Sequence, residues 1–200
     1  MTAPTDVRIG IILASTRTGR RGEGFARWIE GLVADRPGVV AELLDLRDYP
    51  LGAYNHEQMP GKIETAYTDE VQRRWSEKIH GLDGYVMVTP EYNHGYPGNL
   101  KNAIDHVHLG WSYKPVGFVS YGGVASGARA VEHLRSVAVE LRMVPVQREV
   151  NVRLIGLETD EAGRPTEPLY SRLAASMIDQ LLWWARAVKQ ARGIEPPPGF

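Results

Sequence analysis

Two kinds of apolar pattern alternate along the chain. Short, nearly continuous apolar runs rich in β-branched residues are typical of strands that are buried on both faces. The first run, residues 7–14, has almost no polar position and predicts a central strand. The last run contains Pro145, which has no backbone N–H to donate, so we expect that strand at the sheet edge. The predicted strands are residues 7–14, 39–46, 85–88, 116–121 and 144–152.

Between these runs, apolar residues recur every three or four positions, which predicts amphipathic helices. In the first helix, Phe25, Ile29 and Val33 share one face, and Pro37-Gly38 ends the pattern. Strand and helix alternate five times, which favours an α/β domain with a doubly wound, mostly parallel five-stranded sheet covered by helices on both faces. The further predicted helices are residues 64–80, 99–107, 128–141 and 168–192.

The chain length changes this picture little, because 200 residues suit one domain with a sizeable core. We expect a single domain over residues 1–200, with a short proline-rich tail at 191–200. The segment 47–62 is polar and longer than a compact domain usually carries without a purpose, so we interpret it as a rim or interface loop.

Charge and cysteine content exclude several function classes. Lys and Arg total 23 against 24 Asp and Glu, so a formal net charge of -1 gives no field for gathering nucleic acid. The absence of cysteine removes disulfides, thiolate nucleophiles and cysteine-bound metal. No apolar stretch reaches the roughly 20 residues of a membrane helix, and the start lacks the pattern of a signal peptide. We therefore expect a cytoplasmic protein that binds neither nucleic acid nor membrane.

The loop after the first predicted strand combines hydroxyls, arginines and glycines at the start of a helix. Residues 15–24 read STRTGRRGEG, a composition in which backbone N–H groups, the helix dipole and an arginine fork can all bind a phosphate. The alternative is that the glycines only form a turn and the arginines only coat the surface. Because neither G-x-G-x-x-G nor G-x-x-x-x-G-K-[ST] is present, the loop favours a terminal monophosphate over a pyrophosphate or triphosphate.

Two more unusual loops follow the third and fourth predicted strands. Residues 89–99 read TPEYNHGYPGN, where prolines and glycines hold an irregular path and tyrosines supply planar surface. Residues 120–127 read SYGGVASG and allow a close approach of backbone to a ligand. Either loop alone is more often a plain turn, but ligands of doubly wound sheets bind at the carboxyl ends of the strands, where all three loops meet.

These residues carry a resemblance to a known family, the NAD(P)H-dependent FMN reductases. Pro90-Glu91-Tyr92-Asn93 resembles the loop of that family at the isoalloxazine ring, and the segment 98–105, GNLKNAID, resembles the helix that follows it. The likeness runs from about residue 7 to residue 145. It implies a flavodoxin-like fold and an FMN site made of Ser15, Thr16, Arg17, Arg20, Gly22, Glu23, Gly24, Pro90, Glu91, Tyr92, Asn93, Ser120, Tyr121, Gly122 and Gly123.

The phosphate loop departs from the family pattern at one place. Many members close this loop with Ser-x-Asn or Ser-x-Ser, whereas this chain has Gly22-Glu23-Gly24. We therefore expect its phosphate to depend more on backbone N–H groups and on Arg17, with Arg20 as a further candidate.

The resemblance implies electron transfer from NADPH or NADH, through FMN, to a small acceptor such as a flavin, quinone, azo dye or metal oxyanion. Hydride transfer requires no acid or base from the protein, so no catalytic side chain is assigned, and donors near Asn93 and Gly122 are expected to stabilise the reduced flavin. The family often completes its site with a neighbouring subunit, so we expect a homodimer or homotetramer in which Tyr54, Met59, Leu100 and Ile104 lie near the rim. Two alternatives are an FMN-binding electron carrier for a protein partner and a phosphate-ligand binding module without redox activity.

Several residues have competing interpretations. His106 and His108 point to different faces of a helix and lack a third ligand, so no metal site is expected, and a surface or interface role is favoured. Trp183 and Trp184 are adjacent, so we expect one in the core and the other against a partner or the rim. The aromatic residues around the third loop are either core residues or flavin and dimer contacts; they are Tyr92, Tyr96, Trp111 and Tyr113.

Overall fold

A parallel sheet forms the centre of the molecule in the computed structural model, which describes residues 6–198. The strands are β1 (Val7–Leu13), β2 (Val39–Asp45), β3 (Gly84–Pro90), β4 (Pro115–Gly122), β5 (Val144–Pro145) and β6 (Val150–Arg153). The path of the sheet is β2-β1-β3-β4-β5, and β6 also pairs with β4. Every pairing between these strands is parallel, so each connection from β1 to β5 crosses back over a face of the sheet.

Helices cover both faces of this sheet. The helices are α1 (Gly22–Ala34), α2 (Pro60–Ile63), α3 (Glu70–His80), α4 (Gly98–Asp105), α5 (Ala128–Glu140) and α6 (Pro168–Ile194). Helices α1 and α6 pack on one face of the sheet, and helices α3, α4 and α5 pack on the other. The strand order is that of the flavodoxin-like fold, so the predicted fold class is confirmed.

Alternate residues of the central strands divide the core into two layers. Ile9 and Ile11 of β1 face α1 and α6, whereas Ile12 faces the opposite layer. The same alternation places Val86 in one layer and Met87 in the other. All five side chains are 2% exposed or less, which explains why these strands read as unbroken apolar runs in the sequence.

The predicted fifth strand is split in two. Val144–Pro145 pairs with the start of β4, and Val150–Arg153 pairs with its end, so residues 146–149 leave the ladder between them. The expected edge position is confirmed by this pairing. The second piece brings Arg153 level with Gly122, at the carboxyl edge of the sheet.

Two predicted helix boundaries differ from the structure. The helix expected from residue 64 begins at Glu70, because Asp69 caps it by accepting a hydrogen bond from the Gln72 N–H at 2.9 Å. Glu64 is instead buried, and its carboxylate accepts the backbone N–H of Leu109 at 2.8 Å. The last helix continues to Ile194, into the segment expected to be a tail.

The expectation that one of the adjacent tryptophans lies in the core is wrong. Trp183 is 63% exposed and Trp184 is 38% exposed, and their rings pack edge to face against each other at 5.0 Å. Within residues 6–198, no helix is both long enough and apolar enough to span a membrane.

Candidate functional site at the carboxyl edge of the sheet

The loops after β1, β3 and β4 meet and are joined by hydrogen bonds. The hydroxyls of Ser15 and Tyr92 are 2.8 Å apart, which links the first loop to the second. The side-chain amide of Asn99 donates to the carbonyl of Ala14 at 2.7 Å, so the start of α4 is also fixed to the end of β1. The backbone N–H of Glu91 donates to the carbonyl of Tyr121 at 3.1 Å and joins the second loop to the third. The structure thus brings the three predicted site loops together.

Arg20 in the first loop does not face the open side of the site. Its guanidinium donates to Asp45 at 2.6 Å and to the carbonyl of Ser15 at 2.9 Å, and its side chain is only 4% exposed. Burial alone would raise the pKa of Asp45, but hydrogen bonds from Arg20 and from the backbone N–H of Arg47 outweigh it and lower that pKa. Asp45 already neutralises Arg20, which argues against a direct contact between Arg20 and the phosphate.

A second arginine braces the same loop from outside. Arg47 donates from Nε to the carbonyl of Thr16 at 3.2 Å and from Nη2 to the carbonyl of Arg17. Both bonds go to backbone carbonyls, and the side chains of Thr16 and Arg17 are exposed on the open side of the loop. Arg17, unlike Arg20, can therefore pair with a ligand anion without first breaking an ion pair with Asp45.

The first turn of α1 has no side-chain cap. Arg21 occupies the N-cap position and makes no capping hydrogen bond from its side chain, so the backbone donors of this turn are suited to an anion. Glu23 does not cap these backbone donors, because its carboxylate accepts hydrogen bonds from Arg27 at 3.2 Å and from Arg20 at 3.4 Å. The hydrogen bond from Arg27 is the largest influence on the pKa of Glu23, which is lowered.

The two glycines of this turn face different neighbours. A Cβ atom on Gly24 would lie 2.9 Å from the carbonyl oxygen of Gly163 and 3.0 Å from that of Ala162. A Cβ atom on Gly22 would lie 2.5 Å from the hydroxyl of Tyr121. Glycine is therefore required at both positions for space, and the departure from the family pattern has a local structural reason at each.

The loop after β3 turns sharply at Asn93 and His94. Both residues have positive φ, 50° and 68°, and the turn is closed by bonds between Tyr92 and Gly95 in both directions, at 2.8 and 3.0 Å. Two consecutive left-handed residues of this kind are typical of type I′ turns, in which asparagine is favoured. Both side chains are exposed, so the turn projects from the sheet edge into solvent.

Glu91 anchors this loop and does not present a free charge. Its carboxylate accepts from the guanidinium of Arg129 at 2.7 Å and from the backbone N–H of Arg129 at 3.3 Å. The Glu91 side chain is 10% exposed. The pair fixes the second loop to the start of α5.

A network of hydrogen-bonded polar side chains beneath the loop after β4 fixes the path of that loop. Ser120 is fully buried, and its hydroxyl lies 2.6 Å from the side-chain oxygen of Asn151 and 2.9 Å from the carbonyl of Ser126. The amide of Asn151 in turn donates to Glu149 at 2.8 Å. Gly122 and Gly123 follow Ser120 on the open side, where Gly123 is exposed.

Tyr121 lies between Ser120 and Gly122 in the chain, and its hydroxyl is in an unusual position. The residue is 4% exposed, and its hydroxyl has no hydrogen-bond partner among the residues that the structure describes. Burial raises the pKa of Tyr121 to about 12, so the phenol keeps its proton at neutral pH. An uncapped helix start, an exposed arginine and an unpartnered buried donor at one place fit the phosphate of FMN, and two loops with accessible backbone fit its ring.

Residues with competing interpretations divide between the core and the rim. Trp111 is fully buried in the core, whereas Tyr92 and Tyr96 are half-buried at the site. The expected surface role of His106 is wrong, because it is fully buried. Leu100 and Ile104, expected at the rim, are 0% and 1% exposed and belong to the core as well.

Sequence reasoning missed the residues that hold the three loops in place. Asp45 ends β2 and Arg47 follows it, and β2 lies beside β1, so the neighbouring strand end was the available signal. Asn99 and Asn151 act through side-chain amides, and Asn151 is 31 residues from the serine that it contacts. No periodicity marks such contacts in a sequence.

Comparison with known proteins gives concordant findings. A sequence model of the family described as NADPH-dependent FMN reductase matches residues 7–155. An NAD(P)H-dependent FMN reductase of Schizosaccharomyces pombe is 39% identical over 136 residues, which cover 68% of this chain and 68% of that protein. A probable NADPH:quinone oxidoreductase of Oryza sativa subsp. japonica is 30% identical over 139 residues, again 68% of each.

A solved structure shows the same fold. The flavoenzyme NAD(P)H:(acceptor) oxidoreductase FerB from Paracoccus denitrificans superposes with a TM-score of 0.75 at 22% identity, covering 90% of this chain and 98% of that one. The region matched by the family model includes all three loops of the site described above.

Proposed function

The chain belongs to the NADPH-dependent FMN reductase family, and from this premise we propose that it binds FMN across the three loops and passes electrons from NAD(P)H to a small acceptor. The observation that carries the proposal is that the family match runs through the loops after β1, β3 and β4, which hydrogen bonds gather at one sheet edge. Ligands of doubly wound sheets bind at this edge.

The phosphate end of the site is assigned to the first loop. Ser15, Thr16 and Arg17, together with the backbone N–H groups of residues 22–24, receive the phosphate at the start of α1. The guanidinium of Arg20 forms an ion pair with Asp45, so the contribution of Arg20 is to hold the loop closed. The 4% exposure of the Arg20 side chain supports this holding role, and the exposure of Arg17 supports its role in binding the phosphate.

The ring end of the site is assigned to the two other loops. Pro90, Glu91, Tyr92 and Asn93 border one side, and residues 120–123 border the other. Bound FMN would accept a hydride from NADH or NADPH, with two electrons, and later deliver two electrons to an acceptor such as a quinone. The chain binds and orients the reactants, and no side chain is assigned as acid or base because hydride transfer requires neither.

An absorbance titration followed by rapid mixing tests the proposal. FMN added to the flavin-free protein is expected to bind, while FAD binds no better, because one phosphate loop is present and no dinucleotide fingerprint is. Mixing the FMN-loaded protein with NADH and with NADPH is expected to bleach the flavin absorbance. Steady-state rates with a small quinone and no other protein are then expected to give parallel double-reciprocal lines, since one pocket admits donor and acceptor in turn.

Two outcomes would overturn the assignment. If FMN binds but neither nicotinamide bleaches it within many seconds, the protein is an electron carrier for a protein partner. If the chain binds simple phosphate compounds but no flavin, it is a phosphate-ligand binding module. The net charge of -1 argues against the carrier, since carriers of the flavodoxin kind tend to be strongly acidic.

A homodimer or homotetramer in the cytoplasm, built from a single FMN-binding domain, is part of the same proposal. Met59 in the segment 47–62 is 66% exposed and supports an interface at that rim. Tyr54 is fixed there, with its backbone N–H donating to the side chain of Asn102 at 3.0 Å. Leu100 and Ile104 give no support, because both are buried.

A further inference from the structure

The first turn of α1 has few side-chain groups of its own that could bind an anion. Gly22 and Gly24 carry no side chain, and the carboxylate between them is engaged by Arg27 and Arg20. The loop therefore offers backbone donors at the start of α1, and its sequence supplies no side-chain hydroxyl within that turn.

The hydroxyl of Tyr121 lies where a residue-22 side chain would be. The distance between the phenol oxygen and an ideal Cβ atom on Gly22 is 2.5 Å, shorter than any real Cβ contact. The ring of Tyr121 reaches this point from β4 and is held by Phe25 of α1, edge to face at 5.2 Å. The Tyr121 hydroxyl thus fills the space that a side chain at position 22 would need, and the glycine at that position leaves this space free.

This hydroxyl is a donor without an acceptor. Within residues 6–198 it makes no hydrogen bond of acceptable geometry, although Ser15 and the backbone N–H of Gly22 lie near it and the residue is only 4% exposed. A buried polar group without a partner costs on the order of 1 to 3 kcal/mol, so its retention calls for an explanation. Nearby Ser15 already shares a hydrogen bond with Tyr92.

The electrostatics favour a protonated phenol facing an anion. Burial, and then Tyr92, raise the pKa of Tyr121 to about 12, whereas Ser15, Arg20 and the backbone N–H of Gly22 oppose the rise. A phenol that keeps its proton donates a hydrogen bond and does not repel negative charge. The start of α1 supplies a partial positive charge at the same place.

We propose that the Tyr121 hydroxyl donates a hydrogen bond to the phosphate of FMN at the first turn of α1, replacing the hydroxyl that Gly22 lacks. The inference rests on the proposed function, since it concerns the same ligand. It assigns Tyr121 to the phosphate through its side chain, in addition to the place of its loop beside the ring.

The test compares FMN with riboflavin, which lacks the phosphate, in the wild type and in Tyr121→Phe. The Kd for FMN is expected to rise about tenfold or more, while the Kd for riboflavin changes less than twofold. The flavin-free Tyr121→Phe protein is expected to melt at the same temperature as the wild type or higher, because an unpartnered buried polar atom has been removed. A purely structural hydroxyl would instead lower the melting temperature and weaken both flavins alike.

Tyr85→Phe is the matched control. Tyr85 is fully buried on the neighbouring strand, and its hydroxyl donates to the carbonyl of Ile79 at 2.7 Å, remote from the first turn of α1. This variant is expected to lower the melting temperature and to leave the ratio of FMN to riboflavin affinity unchanged.

Gly22→Ala provides a second, independent test of the pair. The added methyl group is expected to destabilise the flavin-free wild type and to cost less in the Tyr121→Phe background, where the closest contact is gone. Equal costs in the two backgrounds would contradict the geometry. An unchanged FMN-to-riboflavin ratio in Tyr121→Phe, in a wild type that prefers FMN, would overturn this inference alone, whereas a wild type that binds no FMN would overturn the proposed function with it.

Discussion

Two arginines of the first loop, three residues apart, have opposite surroundings. Arg20 is buried against Asp45, and Arg17 is exposed at the mouth of the proposed phosphate site. A charged hydrogen bond contributes roughly 1.5 to 3 kcal/mol, so Arg17→Ala is expected to weaken FMN by about tenfold or more and riboflavin hardly at all. Calorimetric titration measures both. Arg36→Ala, at the other end of α1, is the control, and equal losses for the two flavins in Arg17→Ala would contradict the phosphate role.

Lys114 titrates far from the site, immediately before β4. The residue is 6% exposed, and its amino group donates to the carbonyls of Ile79 and His80 at 2.8 and 3.0 Å. Burial, followed by repulsion from Arg192, lowers the pKa of Lys114 from 10.5 to about 7. Since an unfolded lysine keeps its usual pKa, the unfolded chain binds more protons between about pH 7 and 10.5, and stability from this group rises with pH in that window.

The consequence is measurable by urea unfolding at pH 7 and pH 9. The free energy of unfolding is expected to increase more for the wild type than for Lys114→Met, by on the order of 1 kcal/mol. FMN affinity is expected to be the same in both proteins, because Lys114 lies at the opposite edge of the sheet from the three loops. Identical pH dependence of stability in the two proteins would show that Lys114 stays charged when folded.

At the scale of elements, two of the three glycines of α1 have contrasting neighbours. Gly24 packs against the backbone of residues 162 and 163, whereas a Cβ atom on Gly31 would meet nothing within 4 Å. Gly31→Ala is expected to stabilise the protein by roughly 0.5 to 1 kcal/mol through helix propensity. Gly24→Ala gains the same propensity but must displace backbone atoms, which costs about 1 to 3 kcal/mol and makes the change destabilising overall.

Chemical denaturation of the two variants checks this contrast. If Gly24→Ala were as stabilising as Gly31→Ala, the turn at residues 159–165 would not be fixed to α1. That turn is closed by Asp160, which accepts the backbone N–H of Arg164 at 2.9 Å and its Nε at 2.6 Å. Its packing against Gly24 joins the segment before α6 to the proposed phosphate loop.

At the scale of the whole molecule, exposed apolar side chains lie on opposite faces of the sheet. Met59 lies in the rim segment 47–62, and Trp183 lies on α6. If the proposed dimer uses the rim, Met59→Asp is expected to shift the light-scattering mass toward the monomer, while Trp183→Asp leaves it unchanged. A monomeric wild type with full activity, or dissociation by Trp183→Asp alone, would exclude the rim interface.

Most of the fold was predictable because its signals are local. Continuous apolar runs such as residues 7–14 identify buried parallel strands, and alternation with helices leaves few right-handed arrangements. The start of α3 was not predictable from periodicity, because Glu64 is occupied by backbone donors 45 residues away. That neither Trp183 nor Trp184 lies in the core was also missed, since apolar character alone does not reveal which face of a long helix is covered.

The sequence by itself determined the fold class, the three loops and the kind of ligand they suit, because apolar periodicity, turn residues and motif composition are written along the chain. Only the tertiary structure decided which side chains of these loops are already paired within the protein and which are left exposed. Arg17 and Arg20 look alike in the sequence, yet Asp45 neutralises one of them from the neighbouring strand. Tyr121 meets Gly22 although they are 99 positions apart in the chain, and a contact of that kind exists only once the strands and α1 are packed together.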